Sequence, residues 1–397
     1  MNNTQNKSIL LGICGGIAAY KSAYLVRLLQ DKGYQVQAMM TEAATHFITP
    51  VTFQALTNQL VLTDIWDPRI PNRMAHIEAT RQADAMVIAP ATANVIAKLA
   101  AGLADDLLTT TALARNCPLL VAPAMNREMW AQASTQRNIK QLEQDGIIII
   151  GPASGSQACG EVGEGRMEEP DIMASIIDRA IAKKNWVGRR VLLTAGPTME
   201  AIDPVRAITN HSSGKMGYAL ADALIKQGAE VTLVTGPVAI TPPYGVRLIS
   251  VMSAEEMLNA VMTYVAECEV FFSVAAVADY KPAISHSQKI KKNKEELTLD
   301  LVPTVDILAS VAALPRAPFC VGFAAETNNV EDYARQKRLT KNIPVIIANH
   351  AQQALGHDDN EVTIIDENGQ YPLTKANKSV IAELIIDHVI KLLNRKK

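Results

Sequence analysis

Apolar runs of four to six residues alternate with longer amphipathic stretches along this chain of 397 residues. In the first half the runs have the length of buried strands, and the stretches between them carry apolar residues at helical spacing. Strands are predicted at Ile9–Ile13, Gln35–Met40, Ala85–Ala89, Leu119–Ala122 and Ile147–Ile150. Helices are predicted at Ala18–Asp31, Asn94–Ala104, Ser134–Asp145 and Asp171–Lys184. This alternation predicts a doubly wound parallel sheet.

The same alternation restarts after a polar, charged connector that ends at Arg190. Strands are predicted at Val191–Thr194, Glu230–Thr235, Val270–Val274, Phe319–Ala324 and Val345–Asn349, with Glu361–Asp366 as an edge strand. Helices are predicted at Lys215–Gln227, Val330–Lys341 and Asn377–Leu393, and Ser253 with Glu256 forms a capping box that opens another helix. The sequence therefore predicts an α/β protein with two doubly wound domains, residues 1–188 and 189–397.

A glycine-containing turn follows the first predicted strand of each domain. The first turn is Cys14-Gly15-Gly16-Ile17, and the second is Ala195-Gly196-Pro197-Thr198. Glycine lets main-chain N–H groups approach an anion, and the following helix start adds its positive dipole end. Two such turns suggest two phosphate-bearing ligands and two active sites. Taken alone, the first turn fits simple chain reversal about equally well, and it lacks the G-x-G-x-x-G pattern of NAD-type sites.

Composition narrows the class of protein. The net charge of −2 gives no global attraction to nucleic acid or to an acidic membrane. No apolar run reaches about eighteen residues, so no membrane span is expected, and glycines break the apolar stretch after Lys7 that an export signal would need. The five cysteines form no C-x-x-C pair, which argues against a zinc site or a disulfide framework and for a reducing cytoplasm: Cys14, Cys117, Cys159, Cys268 and Cys320.

Three loops of the first domain are expected at the carboxyl ends of strands, where open α/β sheets bind ligands: Gly15–Ile17, Pro90–Asn94 and Pro123–Trp130. Thr41 closes the second strand, and its hydroxyl could hold a phosphate or serve as a plain N-cap. The amide of Asn126 could hold a carboxylate or satisfy the backbone of its own turn.

Two further side chains of the first domain can move protons. His76 lies between two predicted strands, and a lone histidine beside apolar neighbours is more often a structural group than a catalyst. Cys159 lies in a segment with four glycines, which indicates a mobile flap and not core. A thiol on a flap is an unusual choice for packing, so Cys159 could close over a substrate and donate a proton.

In the second domain, Ser213-Gly214-Lys215 precedes a helix but lacks the other features of a P-loop, so a Walker NTPase is rejected. The start of this helix suits a phosphate, whereas capping by Ser212 or Ser213 is the simpler alternative. The basic run Lys289–Lys294 follows a strand end. Such a run is usually a solvated loop, yet beside a nucleotide pocket it could close on a triphosphate.

Together these segments resemble the bifunctional phosphopantothenoylcysteine decarboxylase/phosphopantothenate–cysteine ligase family of coenzyme A biosynthesis along nearly the whole chain. The resemblance implies a flavodoxin-like domain in which FMN is the electron sink beside the departing carboxylate. It makes His76 the base, Asn126 the clamp on the substrate carboxylate and Cys159 the proton donor. Cys14 stands where the family usually has serine. The implied FMN contacts are Gly15, Gly16, Ile17, Thr41, Thr92 and Asn94.

The later segments resemble the ligase half of the same family, which implies a Rossmann-like ligase domain. There the carboxylate of 4'-phosphopantothenate attacks the α-phosphate of CTP, and the amine of cysteine then displaces CMP. Mg2+ and lysines neutralise the triphosphate, with metal ligands not identified. Asn210 serves the acyl-intermediate step and Lys289 contacts phosphates. The other implied nucleotide contacts are Ser273, Val274, Ala275, Asp279, Val305, Asp306, Ile307, Leu308, Phe323, Lys337 and Lys341.

The resemblance also implies a cytoplasmic homo-oligomer with trimeric FMN domains and dimeric ligase domains. Two other functions stay open. An oxidoreductase with two dinucleotide domains would need an acidic residue after the second strand, where Glu42 is nearby. A flavin-binding regulatory protein without catalysis would be expected to lack the histidine or the flap cysteine, and this chain keeps His76, Asn126 and Cys159.

Overall fold

Alternate residues of the first strand pack into two different apolar layers. Ile9, Leu11 and Ile13 lie in one buried cluster, whereas Leu10 lies in another. Since successive side chains of a strand point to opposite faces, this pattern requires helices on both faces of the sheet. The prediction of a doubly wound sheet in the first half of the chain is confirmed.

The structure is a computed structural model and describes residues 7–67, 74–291, 297–326, 329–350 and 357–395. The chain separates into two units, Met1–Ala182 and Lys183–Lys397, which we call the first unit and the second unit. No helix within the described ranges has both the length and the apolar character needed to cross a bilayer.

The first unit alternates strands and helices as the apolar pattern predicts. Its elements are β1 (Ser8–Ile13), α1 (Ala19–Asp31), β2 (Gln35–Met40), α2 (Glu42–Thr45), α3 (Pro50–Thr57), α4 (Ala75–Arg81), β3 (Ala85–Ala91), α5 (Ala93–Ala101), α6 (Leu107–Ala114), β4 (Leu119–Pro123), α7 (Arg127–Ala131), α8 (Ala133–Gln144), β5 (Ile148–Ile149), β6 (Ala153–Ser156), β7 (Val162–Arg166) and α9 (Pro170–Ile181).

Five parallel strands form the sheet of the first unit in the order β2-β1-β3-β4-β5. This is the flavodoxin-like order, in which the direction of winding reverses between β1 and β3. Ligands of such sheets bind outside the carboxyl ends of the strands at this reversal. The antiparallel hairpin β6–β7 follows the last strand.

Helices cover both faces of this sheet. Leu25 of α1 and Ile177 of α9 lie in one buried cluster, and Ile96 of α5, Leu108 of α6 and Leu142 of α8 lie in the other. Burial of each such side chain contributes about 1.5–3 kcal/mol. The loops at the strand ends therefore stand on a rigid base.

The second unit repeats the alternation with added antiparallel strands. Its elements are β8 (Arg190–Ala195), β9 (Met199–Ala201), β10 (Ala207–Thr209), α10 (Lys215–Lys226), β11 (Glu230–Thr235), β12 (Arg247–Ser250), α11 (Ala254–Tyr264), a 3-10 turn (Val265–Glu267), β13 (Val270–Ser273), β14 (Tyr280–Pro282), β15 (Leu301–Pro303), α12 (Ile307–Ala312), β16 (Phe319–Glu326), α13 (Val330–Thr340), β17 (Val345–His350), β18 (Asp359–Ile365), β19 (Gln370–Asn377) and α14 (Lys378–Arg395).

Its main sheet runs β12-β11-β8-β13-β16-β17-β18-β19, and the first six strands are parallel. Numbered within the unit, those six follow the Rossmann order 3-2-1-4-5-6. The reversal lies between β8 and β13, so ligand-binding residues are expected where these two strands end. The remaining two strands pair antiparallel.

Two helical layers also sandwich the second sheet. Leu224 of α10 and Ile385 of α14 share a buried cluster with Trp186, which is fully buried although it lies in the polar connector. Met257 of α11 and Val311 of α12 pack on the other face. The connector residue Trp186 therefore belongs to the core of the second unit.

One predicted strand position is wrong. Glu361–Asp366 corresponds to β18, which lies between β17 and β19, and the edge strand is β19. Most side chains of β19 are exposed or half-buried, and Pro372 interrupts the pattern, so β19 has no apolar run that would reveal it in the sequence. A polar edge strand is the usual protection against edge-to-edge pairing.

Two predicted helix starts are corrected as well. Neither Ser212 nor Ser213 caps α10, because its N-cap is Gly214 in the left-handed region (φ +75°), without a side-chain hydrogen bond. At α11, Ser253 accepts the N–H of Glu256 at 3.1 Å, whereas the Glu256 carboxylate accepts the N–H of Met252 and not that of Ser253. The expected capping box is therefore only half formed.

Candidate functional site

Two cavities open at the strand ends of the first unit and adjoin at the Gly15–Gly16 peptide. The sheet-end cavity, of about 800 Å³, is lined by Cys14, Gly15, Thr41, Thr92 and Asn94 together with Lys98, Asp105 and Asp106. The hairpin cavity, of about 600 Å³, is lined by Gly16, Ile17, Lys21, Asn126, Cys159 and Arg166. Eight of the nine residues that sequence analysis assigned to the first site therefore line these two neighbouring spaces; the ninth is His76.

The two glycines of the turn differ in what requires them. A Cβ on Gly15 would fall 2.6 Å from the Cβ of Ala43 and 2.7 Å from its carbonyl carbon, so close packing alone excludes a side chain. A Cβ on Gly16 would meet nothing within 4 Å. Packing thus explains Gly15, whereas Gly16 leaves space beside a cavity, which fits a ligand that approaches the backbone.

Two threonines of the sheet-end cavity, Thr41 and Thr92, cap helices. Thr41 and Thr92 accept the backbone N–H groups of Ala44 and Val95 at 3.3 and 3.4 Å. Both distances are long for hydrogen bonds. Thr41 is nevertheless the N-cap of α2 in this structure, as one of its two readings expects. Burial raises the pKa of the Cys14 thiol to about 12, so Cys14 offers the cavity a neutral thiol.

The hairpin β6–β7 lies against the loop that carries Asn126. The N–H of Met125 donates to the carbonyl of Gly165 at 2.9 Å, and Nε1 of Trp130 donates to the Glu164 carboxylate at 3.1 Å. A Cβ on Gly165 would fall 2.5 Å from the carbonyl oxygen of Met125, and its φ is +124°. Only glycine lets the hairpin approach this closely.

The amide of Asn126 has a fixed orientation. Its Oδ1 accepts the N–H of Glu128 at 2.8 Å as the N-cap of α7, so its Nδ2 points toward the hairpin. Nδ2 lies 3.5 Å from Sγ of Cys159 and 2.5 Å from Oε2 of Glu161. The turn reading of Asn126 is correct in this structure, and its Nδ2 donors face the side chains of Cys159 and Glu161.

Cys159 is exposed near the tip of the hairpin, next to the turn residue Gly160 (φ +85°). Its Sγ also lies 3.6 Å from Oε2 of Glu161. Cys159 is thus outside the core, as its glycine-rich segment indicates. It lies beside Asn126, which is 33 residues away in the sequence.

His76 lies in helix α4, and it lines neither cavity. Its Nδ1 is buried without a hydrogen-bond partner among the described residues. A buried imidazole nitrogen without a hydrogen-bond partner lowers the stability of the fold. Its presence therefore calls for a functional explanation.

In the second unit, the reversal between β8 and β13 brings the predicted residues of β13 to the end of β8. The hydroxyl of Thr194 accepts the N–H groups of Val274 and Ala275 at 3.2 and 3.3 Å. The N–H of Ala276 donates to the carbonyl of Gly196 at 2.9 Å. Ser273, Val274 and Ala275 therefore lie at the strand-order reversal, where such sheets have their ligand-binding crevice.

Glycines bring the surrounding loops into direct contact. A Cβ on Gly236 would fall 1.7 Å from the carbonyl oxygen of Pro197, and a Cβ on Gly217 would fall 2.5 Å from Cβ of Ala195. Asn210 joins this region, since its Nδ2 donates to the carbonyl of Ala276 while its Oδ1 accepts the N–H of Ser212 at 3.0 Å. Backbone contacts therefore shape this crevice.

The buried Asp203 anchors the start of the basic run. Its carboxylate accepts the N–H of Ile290 at 3.1 Å and the N–H groups of Val205 and Arg206 at 2.9 Å. The guanidinium of Arg206 binds the same carboxylate and the carbonyl of Ile290, and it holds the pKa of Asp203 below its usual range. Lys289 is exposed next to this anchor, whereas residues 292–294 of the predicted basic run lie outside the described residues.

Charged side chains from α12 and α13 meet at the next strand. Lys341 pairs with Asp306 at 2.6 Å, and Asp306 also caps α12. Partial burial would raise the pKa of Asp306, but Lys341 and Lys337 outweigh it and lower that pKa. Burial and the charge of Lys341 lower the pKa of Lys337, which also senses Glu326, Asp306 and Asp279. Four side chains from separate segments of the sequence thus lie in one charged cluster: Asp279, Asp306, Lys337 and Lys341.

The remaining predicted nucleotide contacts lie around this cluster. Ile307 and Leu308 are buried, Val305 is exposed, and Phe323 packs partly buried against the core. Phe323 therefore packs against the core, as one of its two readings expects, but it lies within β16 and not at a strand end, because β16 continues to Glu326. Thr327, the last residue of the segment around Phe323 that resembles the ligase half of the family, lies outside the described residues.

Sequence reasoning missed several residues at these sites. Lys98 pairs with Asp105 and Asp106 at 2.8 and 3.1 Å on the wall of the sheet-end cavity. The sequence signal for this ion pair was a basic residue before Gly102 and two acidic residues after it. Glu161, in the glycine-rich segment of Cys159, and Asp203, in the loop after β9, were given no role.

Comparisons with known proteins cover both units. The family described as Flavoprotein matches residues 1–182, and the DNA/pantothenate metabolism flavoprotein C-terminal domain matches residues 186–393. A coenzyme A biosynthesis bifunctional protein CoaBC from Vibrio cholerae is 49% identical over 98% of this chain and 99% of its own length. The protein of that name from Escherichia coli strain K12 is 46% identical over 98% of both chains. The one from Bacillus subtilis strain 168 is 44% identical over 92% of this chain and 91% of its own.

Proposed function

The chain belongs to the family of the coenzyme A biosynthesis bifunctional proteins CoaBC, which joins a phosphopantothenoylcysteine decarboxylase to a phosphopantothenate–cysteine ligase, and we propose how its residues divide the two reactions. One observation carries the proposal. Eight of the nine residues assigned to the first site line the two cavities at the strand ends of the first sheet, and Ser273, Val274 and Ala275 of the second set lie at the β8/β13 reversal of the second sheet. We set aside the two alternatives, an oxidoreductase with two dinucleotide domains and a flavin-binding regulatory protein without catalysis.

The first unit is the decarboxylase, and FMN is its flavin. The sheet-end cavity at the β1/β3 reversal has the position of a flavodoxin-like cofactor site, and Gly16 leaves open space there. Gly15, Gly16, Ile17, Thr41, Thr92 and Asn94 hold the cofactor, which supplies an electron sink next to the reacting carbon. A neutral Cys14 thiol in place of the family's serine makes a weaker hydrogen bond at this turn.

The hairpin cavity holds the substrate. Nδ2 of Asn126 donates to the carboxylate that leaves as CO2, because its fixed orientation offers donors only. The thiol of Cys159 lies within 3.5 Å of that amide and donates the proton that completes the product. Closure of the hairpin over bound substrate would limit water around the carboxylate, which favours its loss.

His76 is the base, and it acts in an oligomer. It lines neither cavity of its own chain, and its buried Nδ1 lacks a partner among the described residues. A trimer of FMN domains would allow His76 of one copy to serve the site of another. Exposed apolar side chains near the cavities support such an assembly: Ile17, Tyr20, Tyr24 and Trp66 are each more than half exposed.

The second unit is the ligase, and CTP is its nucleotide. The crevice formed by Ser273–Ala275 takes the nucleotide, and the cluster of Asp279, Asp306, Lys337 and Lys341 lies beside it. Lys289 binds the phosphates, and Asn210 serves the acyl-cytidylate step. Val305, Ile307, Leu308 and Phe323 complete the pocket. The exposed residues Tyr280 and Leu301 of the β14–β15 ribbon support dimeric ligase domains.

Mg2+ accompanies the triphosphate. Within the described ranges there is no group of three or more His, Cys, Asp or Glu side chains that could hold an ion. This agrees with the habit of Mg2+, which is usually held by substrate phosphates with one or two carboxylates. We place the enzyme in the cytoplasm, because each of its five cysteines is a free thiol.

Two single substitutions test the division of labour. Cys159→Ser should lower the yield of 4'-phosphopantetheine about 100-fold or more, since it removes a general acid, while CMP release continues. Lys289→Gln should lower CMP release and leave the conversion of added phosphopantothenoylcysteine intact. The two activities are measured separately on each purified variant. A parallel loss of both activities, or a normal yield from the cysteine variant, would contradict the assignment.

A further inference from the structure

A carboxylate of the protein itself lies where the substrate carboxylate is proposed to bind. Oε2 of Glu161 is 2.5 Å from Nδ2 of Asn126 and 3.6 Å from Sγ of Cys159. This inference rests on the proposed role of Asn126 as the carboxylate clamp. It concerns Glu161, a residue for which sequence analysis gave no role.

The amide of Asn126 has no donor left for a second anion. A side-chain amide carries two N–H groups, and Nδ2 faces Glu161 and the sulfur of Cys159. Its Oδ1 is committed to the N–H of Glu128 at 2.8 Å, so the amide cannot turn over without losing the cap of α7. A substrate carboxylate can therefore reach Nδ2 only if Glu161 leaves.

The hairpin allows Glu161 to leave without opening. The carbonyl of Glu161 accepts the N–H of Gln157 at 2.8 Å, and the N–H of Gly160 donates to the carbonyl of Gln157 at 2.9 Å. These bonds hold the backbone of the turn. Glu161 is exposed, so rotation of its side chain alone can move the carboxylate away from the amide of Asn126.

We propose that Glu161 is a placeholder for the substrate carboxylate. In the substrate-free protein it holds the amide of Asn126 and the thiol of Cys159 in their working positions. The incoming carboxylate displaces it, because two like charges cannot share one amide donor. Glu161 is thus a positioning residue that also lowers the affinity of the site for the substrate carboxylate. The apparent affinity equals the intrinsic affinity multiplied by the fraction of molecules in which Glu161 does not occupy the amide.

The test compares two unreactive probes on the full-length enzyme loaded with FMN. The first is 4'-phosphopantothenoylserine, which carries the carboxylate and a hydroxyl in place of the thiol. The second is the matching ethanolamide, which lacks the carboxylate. Titration calorimetry gives both dissociation constants for each variant. Their ratio isolates the contribution of the carboxylate from all other contacts.

Glu161→Gln should tighten binding of the serine probe about three- to tenfold, which corresponds to a seat that is about 70–90% self-occupied, and leave the ethanolamide within about twofold. Glu164→Gln is the matched control. It removes the same charge from the same hairpin, and its amide oxygen can still accept the indole N–H of Trp130. We expect it to change neither constant. An unchanged ratio in Glu161→Gln, or a shift of both probes together, would overturn the placeholder.

Asn126→Ser separates this idea from the proposed function. Serine can still cap α7, but it lacks the amide donors. The variant should lose the preference for the serine probe, and a normal flavin spectrum shows that its site is folded. If it keeps that preference, the clamp assignment fails and the placeholder is withdrawn with it. If it loses the preference while Glu161→Gln has a normal ratio, only the placeholder fails.

Discussion

The two strand-order reversals of this chain are built in opposite ways. In the first unit the loops at the strand ends line cavities, and the chemistry depends on side chains that a hairpin brings together, above all Asn126 and Cys159. In the second unit the loops are joined to each other through Thr194, and glycines such as Gly236 place backbone against backbone. A strand-order reversal thus supports a site of side chains in the first unit and a site shaped by packed main chain in the second.

This difference predicts different sensitivities. A cavity tolerates an added methyl group where nothing touches it, whereas a backbone contact does not. The first site should fail through loss of single functional groups with the fold intact. The second site should fail through displacement of its loops.

The largest expected effect comes from a methyl group at a glycine of the second unit. Gly236→Ala brings a Cβ to 1.7 Å from the carbonyl oxygen of Pro197, so the loop must move. We expect a loss of about 3 kcal/mol of stability in the second unit and most of the CMP release. Thermal unfolding and both activities are measured on the same preparation.

Gly16→Ala is the partner variant, with open space around its added Cβ. Its stability should change by less than about 0.5 kcal/mol, while the amount of flavin bound per chain falls. Equal destabilisation by the two alanines would remove the contrast between the two reversals.

The next effect concerns Asp203, the buried side chain that anchors the segment next to Lys289. Asp203→Asn weakens the anchor to Arg206 and Ile290 and should free the segment that carries Lys289. We expect the KM for CTP to rise about tenfold, a cost of about 1.4 kcal/mol, with a smaller change in kcat. Initial rates of CMP release at varied CTP give both constants.

Asp332→Asn is the matched control, because it also removes an aspartate paired with an arginine three residues later, at Arg335. That exposed pair contacts no part of the basic run in the described structure. A normal KM in the Asp203 variant, or an equal rise in the control, would mean that the anchor does not position Lys289.

A smaller effect separates the exposed thiol of the first unit from the buried thiols of the second. Cys159 is exposed on its hairpin, whereas burial raises the pKa of Cys268 to about 11 and that of Cys320 to about 12. Iodoacetamide at pH 8 should therefore modify Cys159 first, since the thiolate is the reactive form. Peptide mass spectrometry over time follows each thiol. Comparable early labelling of the buried thiols would contradict the fold of the second unit.

The smallest effect is on acid stability. The pKa of Asp306 is lowered from its usual 3.8, since Lys341 and Lys337 outweigh the effect of burial. A lowered folded-state pKa contributes stability above the unfolded-state value and loses it as the pH falls through the folded-state value. Asp306→Asn should therefore flatten the loss of stability below about pH 4, as followed by chemical denaturation. A slope equal to that of the unaltered enzyme would show that this pair contributes nothing to acid sensitivity.

The sequence predicts the repeated elements well, because buried parallel strands are continuous apolar runs. β1 and β8 with their glycine turns, and helices such as α10, lie within one or two residues of their predicted bounds. It predicts β19 poorly, since a polar edge strand has no such run. The short ribbon β14–β15 and the parallel strand β12 escape for the same reason: they bury few side chains.

The site residues are predicted by type and loop, but their partners are not. Asn126 and Cys159 can be selected from the sequence, whereas the contact of both with Glu161 depends on how the hairpin folds back. The bond between Asp203 and Ile290 spans 87 residues. No local pattern encodes such a pair, because it arises only when two loops meet in space.

Trp186 gives the connector a practical meaning. Its indole is fully enclosed by the second unit, and its backbone N–H donates to the carbonyl of Gln227 at 3.0 Å. A protease that cleaves just before this residue would release a ligase half that keeps its indole plug. A cut a few residues later would remove Trp186 and leave a cavity the size of its indole in the core. The separated ligase half would then lose about 3–5 kcal/mol of stability, enough to decide whether it stays folded during purification.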